Sequence, residues 1–338
     1  MRAFYFLIVP VLMLSALTGC DTGSHEADMA DYVARLQRTL ETSAMAHTPS
    51  QIIPPPRSTE LQLPVAPGKL DALDFLALRG CALQVTVGKR NSNLGRMAAP
   101  SQQLLLDLEY LRLAPDCIAN LIQRDESSLA QTLQDSFQLK RDQLPIRIFN
   151  ATLGGPEYRQ LWRASRSPRT YPQQTSSVVT SALQQITSLS ERWLAGQYAA
   201  DNQAFEIALG EVAGGDGGEL LRALALQQHW LARANSVVEQ RTEGGPLCQP
   251  GRTSTEAEVL QTVIQKFFIG KIQPWSASLA RRHHELIPPI SSLETSLAST
   301  LPDTYGEWQQ QRNRQLEVTM SAPKDHVKAL QTLLAPCR

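Results

Sequence analysis

The chain has 338 residues, of which 42% are apolar and 19% are charged. This composition is typical of a globular protein and excludes a largely disordered chain. Lys and Arg together number 32, as do Asp and Glu, so the formal net charge is zero. This balance argues against nucleic acid as the main partner, because binding it requires a surface that neutralises many phosphates. A local basic patch is compatible with this balance.

The N-terminal residues predict an export signal that ends at a lipidated cysteine. Arg2 supplies a positive charge, residues 4–13 are apolar, and Leu17-Thr18-Gly19-Cys20 follows. This order is typical of a secretory signal, and the apolar run is too short to span a bilayer. Leu-Thr-Gly-Cys resembles the bacterial lipobox, which implies cleavage before Cys20 and acylation of its thiol. An ordinary signal peptide cut nearby, or a plain membrane anchor, is the alternative.

Acylation of Cys20 would place the chain on a bacterial membrane, facing the periplasm. Each buried CH₂ group contributes about 0.8 kcal/mol, so several acyl chains would form a near-permanent anchor. Asp21 follows the anchoring cysteine. In enterobacterial lipoproteins an Asp at this position tends to retain the protein on the inner membrane, which we therefore favour over the outer membrane.

Four further cysteines, Cys81, Cys117, Cys248 and Cys337, predict two disulfides in an exported protein. Three pairings are possible, and we favour Cys81–Cys117 and Cys248–Cys337. No spacing between them matches the short Cys-x₂₋₄-Cys of a zinc site. The second bridge would fix the C-terminal end to the loop 244–251.

The pairing of Cys81 with Cys117 can be tested against helix geometry. Two helices flanking a turn near Gly95 would place these cysteines roughly 21 and 24 Å from that turn. The two distances match only if the first helix continues to about Asn93. If it ended at Arg90, the mismatch would prevent the bridge.

Apolar residues recur at spacings of three and four along most of the chain, which predicts an all-α protein. Alternating β patterns are scarce. The predicted helices are 25–45, 68–94, 101–123, 125–143, 179–193, 220–238, 260–268, 291–299, 303–319 and 324–335. We expect Pro115 to kink or interrupt the helix that contains it. The predicted fold is an irregular multi-helix bundle, stabilised by disulfides.

Six prolines within residues 49–67 predict an extended, polyproline-like strap. It separates the N-terminal helix from the main helical part of the chain, which we divide near residue 170. One continuous bundle is an equally good interpretation. The predicted segments are the signal 1–19, the anchor and N-terminal helix 20–48, the strap 49–67, the helical region 68–170 with Cys81 and Cys117, and the helical region 171–338 with Cys248 and Cys337.

One set of polar residues is a candidate binding site. If helices 68–94 and 101–123 pair, several of its members gather along one hairpin, where an arginine can fork onto an anionic group of a ligand. The set comprises Arg79, Arg90, Asn91, Asn93 and Arg112. We favour the structural alternative, in which these residues form Arg–Asp pairs and Asn caps that fix the turn 91–100.

No catalytic, metal or cofactor site is predicted. His283-His284-Glu285 lacks the His-Glu-x-x-His spacing of zinc proteases, and adjacent histidines point about 100° apart on a helix. We interpret it as a solvated helix end before Pro288-Pro289. The glycine-rich residues 214–218 lack the Lys-Ser/Thr of a phosphate loop. No Gly-x-Ser-x-Gly elbow is present.

Residues 74–121 carry a resemblance to a known family. They include Arg79-Gly80-Cys81-Ala82, Lys89-Arg90-Asn91-Ser92-Asn93 and Ala114-Pro115-Asp116-Cys117. The stretch resembles a family of proteobacterial lipoproteins catalogued as domain of unknown function 3080. The lipobox, the strap and Ile148-Phe149-Asn150-Ala151-Thr152 are similar too. The resemblance implies an envelope lipoprotein and no particular activity.

Together these observations predict a periplasm-facing, lipid-anchored accessory, scaffold or binding protein of the cell envelope rather than an enzyme. We expect attachment to the membrane through Cys20 and a protein partner in the envelope, with the oligomeric state open. One alternative is an enzyme acting on an envelope polymer such as peptidoglycan, which needs a cleft with a carboxyl group of raised pKa. Another is a lipoprotein that binds a small ligand between its helices. A deep cleft would favour the alternatives, and a flat apolar patch would favour the accessory role.

Overall fold

The structure, a computed structural model, describes residues 24–66, 75, 78–164, 171–172, 177–249 and 252–337. The signal, Cys20 and Asp21 lie outside the described residues, as does most of the start of the predicted helix 68–94. Within the described ranges all regular elements are helical, apart from one isolated β-bridge between Gln249 and Arg252. The predicted all-α class is confirmed. Among these helices we find none with the length and apolarity needed to cross a bilayer.

The helices are numbered in chain order. They are α1 (His25–Leu40), α2 (Ser58–Leu61), α3 (Leu83–Asn91), α4 (Asn93–Arg96), α5 (Pro100–Gln123), α6 (Ser127–Asp142), α7 (Leu144–Ala151), α8 (Pro156–Leu161), α9 (Ser177–Leu194), α10 (Asn202–Ala213), α11 (Gly217–Glu243), α12 (Thr255–Val263), α13 (Gln273–Ser296) and α14 (Asp303–Leu334). A π-helical segment (Ile264–Ile272) joins α12 to α13, and short 3₁₀ turns follow α13 (Ala298–Thr300) and α14 (Ala335–Cys337).

Buried apolar side chains form two clusters. The larger core is built on α11, which packs along α14 and α1 and buries a stripe that includes Leu220, Leu224 and Leu231. The smaller core lies between α3, α5 and α6. Helix α5 joins the two, because Leu104 faces the larger core and Leu121 the smaller one.

Both predicted disulfides are confirmed. The Cα atoms of Cys81 and Cys117 lie 5.5 Å apart, and the bridge closes the smaller core. The Cα atoms of Cys248 and Cys337 lie 5.0 Å apart, which fixes the end of α14 to the loop after α11. The division near residue 170 stays a prediction, since residues 165–170 lie outside the described ranges.

The predicted continuous helix 68–94 is wrong in its described part. Gly80 has φ +89°, a left-handed conformation that ends a helix, and Cys81 lies in the resulting turn before α3. A second break follows α3 at Ser92, whose backbone is extended. The Ser92 hydroxyl accepts a hydrogen bond from the Gly95 N–H at 3.0 Å and so caps α4. The bridge to Cys117 therefore starts from a turn and not from a helix.

Of the kink or interruption predicted at Pro115, the interruption is wrong, because α5 continues past it to Gln123. Pro115 is exposed, while its neighbours Ala114 and Cys117 are buried in the smaller core. Packing on this face holds the helix together despite the backbone hydrogen bond that the proline cannot make.

The proline-rich strap is extended as predicted, with α2 as its one helical turn in the described residues. The Trp308 indole N–H donates to the carbonyl of Ile53 at 3.2 Å. Further along, the Asn150 carboxamide accepts from the Leu63 N–H and donates to the Leu63 carbonyl, both at 2.9 Å. These contacts lead the strap over the surface of the larger core to Val65.

A buried histidine makes stability depend on pH. The Tyr32 hydroxyl lies 2.7 Å from His326 Nε2, and Asn235 Oδ1 lies 2.6 Å from His326 Nδ1. Since the amide oxygen can only accept, Nδ1 carries a proton, and in the neutral ring Nε2 accepts from the Tyr32 hydroxyl. Burial lowers the pKa of His326 to about 3.

We expect this histidine to destabilise the fold as the pH falls. The unfolded chain takes up a proton below about pH 6.5, whereas the folded chain resists it until the pH nears 3. The resulting loss of unfolding free energy is about 2 kcal/mol at pH 5 relative to pH 7.5. Urea unfolding at both pH values, for the wild type and for His326→Gln, measures it. An equal pH dependence in both proteins would contradict this assignment.

Candidate binding site: a basic pocket beside the smaller core

A cavity of about 330 Å³ opens where α3, α5, α6 and α7 meet the end of the strap. Its described lining combines five apolar residues with ten polar ones. The apolar part is Val65, Ala66, Val87, Leu106 and Leu139, and the polar part is Thr86, Arg90, Asn91, Arg96, Asp107, Tyr110, Ser136, Lys140, Gln143 and Arg147. This volume is at the lower end of the range for small-ligand sites.

Asp107 lies at the centre of the polar side. It occupies a leucine stripe of α5, between Leu104 and Leu111, so its side chain is only 4% exposed. Lys140 Nζ lies 2.5 Å from Asp107 Oδ1, and Arg147 Nε lies 2.8 Å from Asp107 Oδ2. A buried carboxylate requires such partners, because removing a charge from water without compensation is costly.

Arg90 adds a third positive charge to the same carboxylate. Its Nε lies 3.8 Å from Asp107 Oδ1, which is beyond hydrogen-bond distance, and this buried N–H has no hydrogen-bond acceptor. Asp107 is the one acidic residue in the described lining, so positive charges outnumber negative charges. The pocket therefore carries an excess of positive charge, and the side chains of Arg90, Lys140 and Arg147 are only 11–23% exposed.

Burial changes the pKa values of two of these cations, Lys140 and Arg147. It lowers the pKa of Lys140 and that of Arg147, and the attraction of Asp107 offsets the effect only in part. Burial raises the pKa of Tyr110, whose hydroxyl stays neutral and donates to the Leu133 carbonyl at 3.2 Å. An anionic ligand would stabilise the charged state of both cations.

The structure places two of the five predicted binding residues in the pocket and the other three outside it. Arg90 and Asn91 line the pocket. Arg79 is exposed in the turn before α3, and the Asn93 carboxamide oxygen accepts a hydrogen bond from Arg96 at 2.7 Å. Arg112 is exposed and lines a separate cavity, which α5 shares with residues 198–202.

Sequence reasoning missed Asp107, Lys140 and Arg147. Asp107 could have been identified from the sequence, because a carboxylate inside a leucine stripe is expected to be buried and to require a partner of opposite charge. Lys140 and Arg147 could not have been identified in this way. Nothing local in the sequence distinguishes them from other cations, because their role depends on how α6 and α7 pack against α5.

His283 and His284 lie in the middle of α13, which continues through Pro288 and Pro289. The predicted helix end is wrong, because Leu286 and Ile290 pack into the larger core on either side of the prolines and hold the helix. In the part of the chain that the structure describes, no group of three or more His, Cys, Asp or Glu residues is placed to hold a metal ion.

Comparison with known proteins gives one match. Residues 29–338 match the model of a family described as protein of unknown function, DUF3080. No curated protein and no solved structure matches the chain. The match confirms the family resemblance seen in the sequence.

Proposed function

The chain belongs to the DUF3080 family, and we propose that it is a lipid-anchored envelope protein that binds a small anionic group in its basic pocket. The observation that carries the proposal is the convergence of three cationic side chains on one carboxylate in a cavity. Among the accessory, scaffold and binding roles that the sequence predicts, this geometry supports a binding role.

In the described lining, four cations (Arg90, Arg96, Lys140 and Arg147) face the single carboxylate of Asp107, and the Arg90 Nε–H has no acceptor, which favours an anionic ligand. Buried charges are normally paired, and each unpaired one carries a large desolvation penalty. An anion that accepts from Arg90 Nε and contacts Lys140 would supply the missing acceptor.

An enzyme acting on an envelope polymer has less support. The carboxylate in the pocket, Asp107, is engaged by Lys140 and Arg147 and is not free to act as an acid or base. Membrane attachment through Cys20, a periplasmic location and an envelope protein partner stay proposals that rest on the lipobox in the sequence.

The test is calorimetric titration of a form that lacks the signal and Cys20, with inorganic phosphate and with glycerol 1-phosphate. We expect both to bind, and Arg90→Gln to weaken binding at least tenfold, since a hydrogen bond to a charged group contributes about 1.5–3 kcal/mol. Folding is expected to persist, because Lys140 and Arg147 still pair with Asp107.

Arg141→Gln is the matched control. Arg141 follows Lys140 on α6, is exposed, and lies outside the pocket lining, so its loss changes the net charge equally. Unchanged affinity in Arg141→Gln with weakened affinity in Arg90→Gln supports the proposal. The proposal fails if neither anion binds, or if both variants lose affinity equally.

A further inference from the structure

Two large apolar side chains project into solvent beside the pocket. Leu94, on α4, is 86% exposed, and Met97, directly after α4, is 88% exposed. Arg96 lies between them in sequence and lines the pocket. The apolar tip, which we define as residues 94–97, is thus continuous with the mouth of the anion site.

Hydrogen bonds and a required glycine fix the backbone of the apolar tip. Ser92 caps it through the Gly95 N–H, and Arg90 Nη1 donates to the Gly95 carbonyl at 3.3 Å. A Cβ atom on Gly95 would lie 2.0 Å from the Lys89 carbonyl oxygen, so this close approach requires glycine. The backbone is therefore fixed in a conformation that holds Leu94 and Met97 outward.

Cations flank these apolar side chains. Lys89 is exposed next to the tip, Arg96 lies within the tip and lines the pocket, and Arg90 lines the pocket from α3. Apolar side chains next to cations are typical of surfaces that enter the interfacial region of an anionic membrane, where the cations meet lipid phosphates. The charge pattern selects a lipid surface over an apolar protein surface.

We propose that the anionic group in the pocket is the phosphate of an anionic phospholipid headgroup, with Leu94 and Met97 inserted into the same bilayer. This inference rests on the proposed function. A phosphate has several acceptor oxygens and can contact Arg90, Lys140 and Arg147 from different directions, whereas their present partner offers two.

In a lipid-anchored chain, a headgroup site of low affinity is sufficient to keep the pocket in contact with the membrane. On a chain tethered through Cys20, as proposed above, a second membrane contact is effectively intramolecular, and its local concentration compensates for low affinity. Contact at the apolar tip would then orient the tethered protein against the bilayer.

The test uses the form that lacks the signal and Cys20, so that binding reports on the pocket and the tip alone. It is sedimented with vesicles of phosphatidylcholine, with or without phosphatidylglycerol. We expect binding to the phosphatidylglycerol vesicles only. Leu94→Ser combined with Met97→Ser is expected to weaken vesicle binding at least tenfold and to leave the affinity for glycerol 1-phosphate unchanged.

Two controls keep the result specific. Ile122→Ser removes a side chain that is 57% exposed at the opposite end of α5, about 33 Å along the helix from Pro100, and should bind vesicles like the wild type. Arg141→Gln should also bind like the wild type, which separates the pocket from general charge attraction.

The outcomes distinguish the two proposals. If glycerol 1-phosphate binds but phosphatidylglycerol vesicles do not, or if the double variant binds vesicles like the wild type, the lipid inference is overturned while the proposed function stands. If neither the free phosphates nor the vesicles bind, both fall. Vesicle binding that requires Arg90, Leu94 and Met97 supports both.

Discussion

Arg312→Met is expected to lower the free energy of unfolding by about 3–5 kcal/mol, because it leaves a buried carboxylate without its partner. Arg312 Nη1 and Nη2 donate to the two Glu294 oxygens at 2.7 and 2.9 Å, and both side chains are nearly inaccessible to water. The guanidinium carbon also lies about 5 Å from the ring centres of Trp162 and Trp308.

The pKa of Glu294 shows how much the pair matters. Burial alone would raise it, but hydrogen bonds from Arg312, Tyr305 and Gln309 hold it below its ordinary value. Without Arg312 the carboxyl group is stabilised by protonation instead, so the destabilisation should be smaller in acid than at neutral pH.

Urea unfolding at neutral pH measures the effect, with Arg314→Met as the control. Arg314 is exposed on the same helix, and its replacement should change the unfolding free energy by no more than about 0.5 kcal/mol. Replacing both partners, Glu294→Leu with Arg312→Met, should recover most of the loss. Equal stability of Arg312→Met and Arg314→Met would contradict the assigned role.

Removing the Cys248–Cys337 bridge is also expected to lower the free energy of unfolding by a large amount. The bridge spans 89 residues of sequence, and closing a loop of this length in the unfolded chain contributes about 4–5 kcal/mol. Cys248→Ala with Cys337→Ala should therefore unfold at a much lower urea concentration. Hydrogen exchange should also accelerate at the end of α14, which the bridge holds.

The other bridge provides the contrast. Cys81–Cys117 closes a shorter span of 36 residues and pins the chain just before α3, which carries Arg90. Its double Ala variant should bind phosphate less tightly, whereas the Cys248 and Cys337 variant should keep the wild-type affinity. A Cys248 and Cys337 variant that unfolds at the wild-type urea concentration would contradict the expected contribution.

Much of the fold follows from local patterns in the sequence. The predicted helix 125–143 corresponds to α6 with small differences at its ends, and the predicted helix 25–45 begins with α1 but extends five residues beyond its end at Leu40. The errors are concentrated at prolines and glycines. The sequence pattern predicts separate helices at 303–319 and 324–335, yet α14 continues through Pro323 because Leu316 and His326 are buried on either side of it. Whether a proline breaks a helix depends on packing that the local sequence does not contain.

The candidate site is predictable only in part. Arg90 and Asn91 belong to a local hairpin, so spacing along the sequence brings them together. Lys140 is 33 residues from Asp107, and their contact depends on how α6 packs against α5. Lys140 therefore looks like any surface lysine in the sequence, although its side chain is only 15% exposed.

The most direct test of a lipid-anchored, anion-binding envelope protein is native mass spectrometry of the full chain extracted gently from membranes. We predict an N-terminus at an acylated Cys20 and a copurifying phosphate-containing molecule, which Arg141→Gln retains and Arg90→Gln loses. A chain without acylation at Cys20, or the same bound species in the wild type and in Arg90→Gln, would contradict the account.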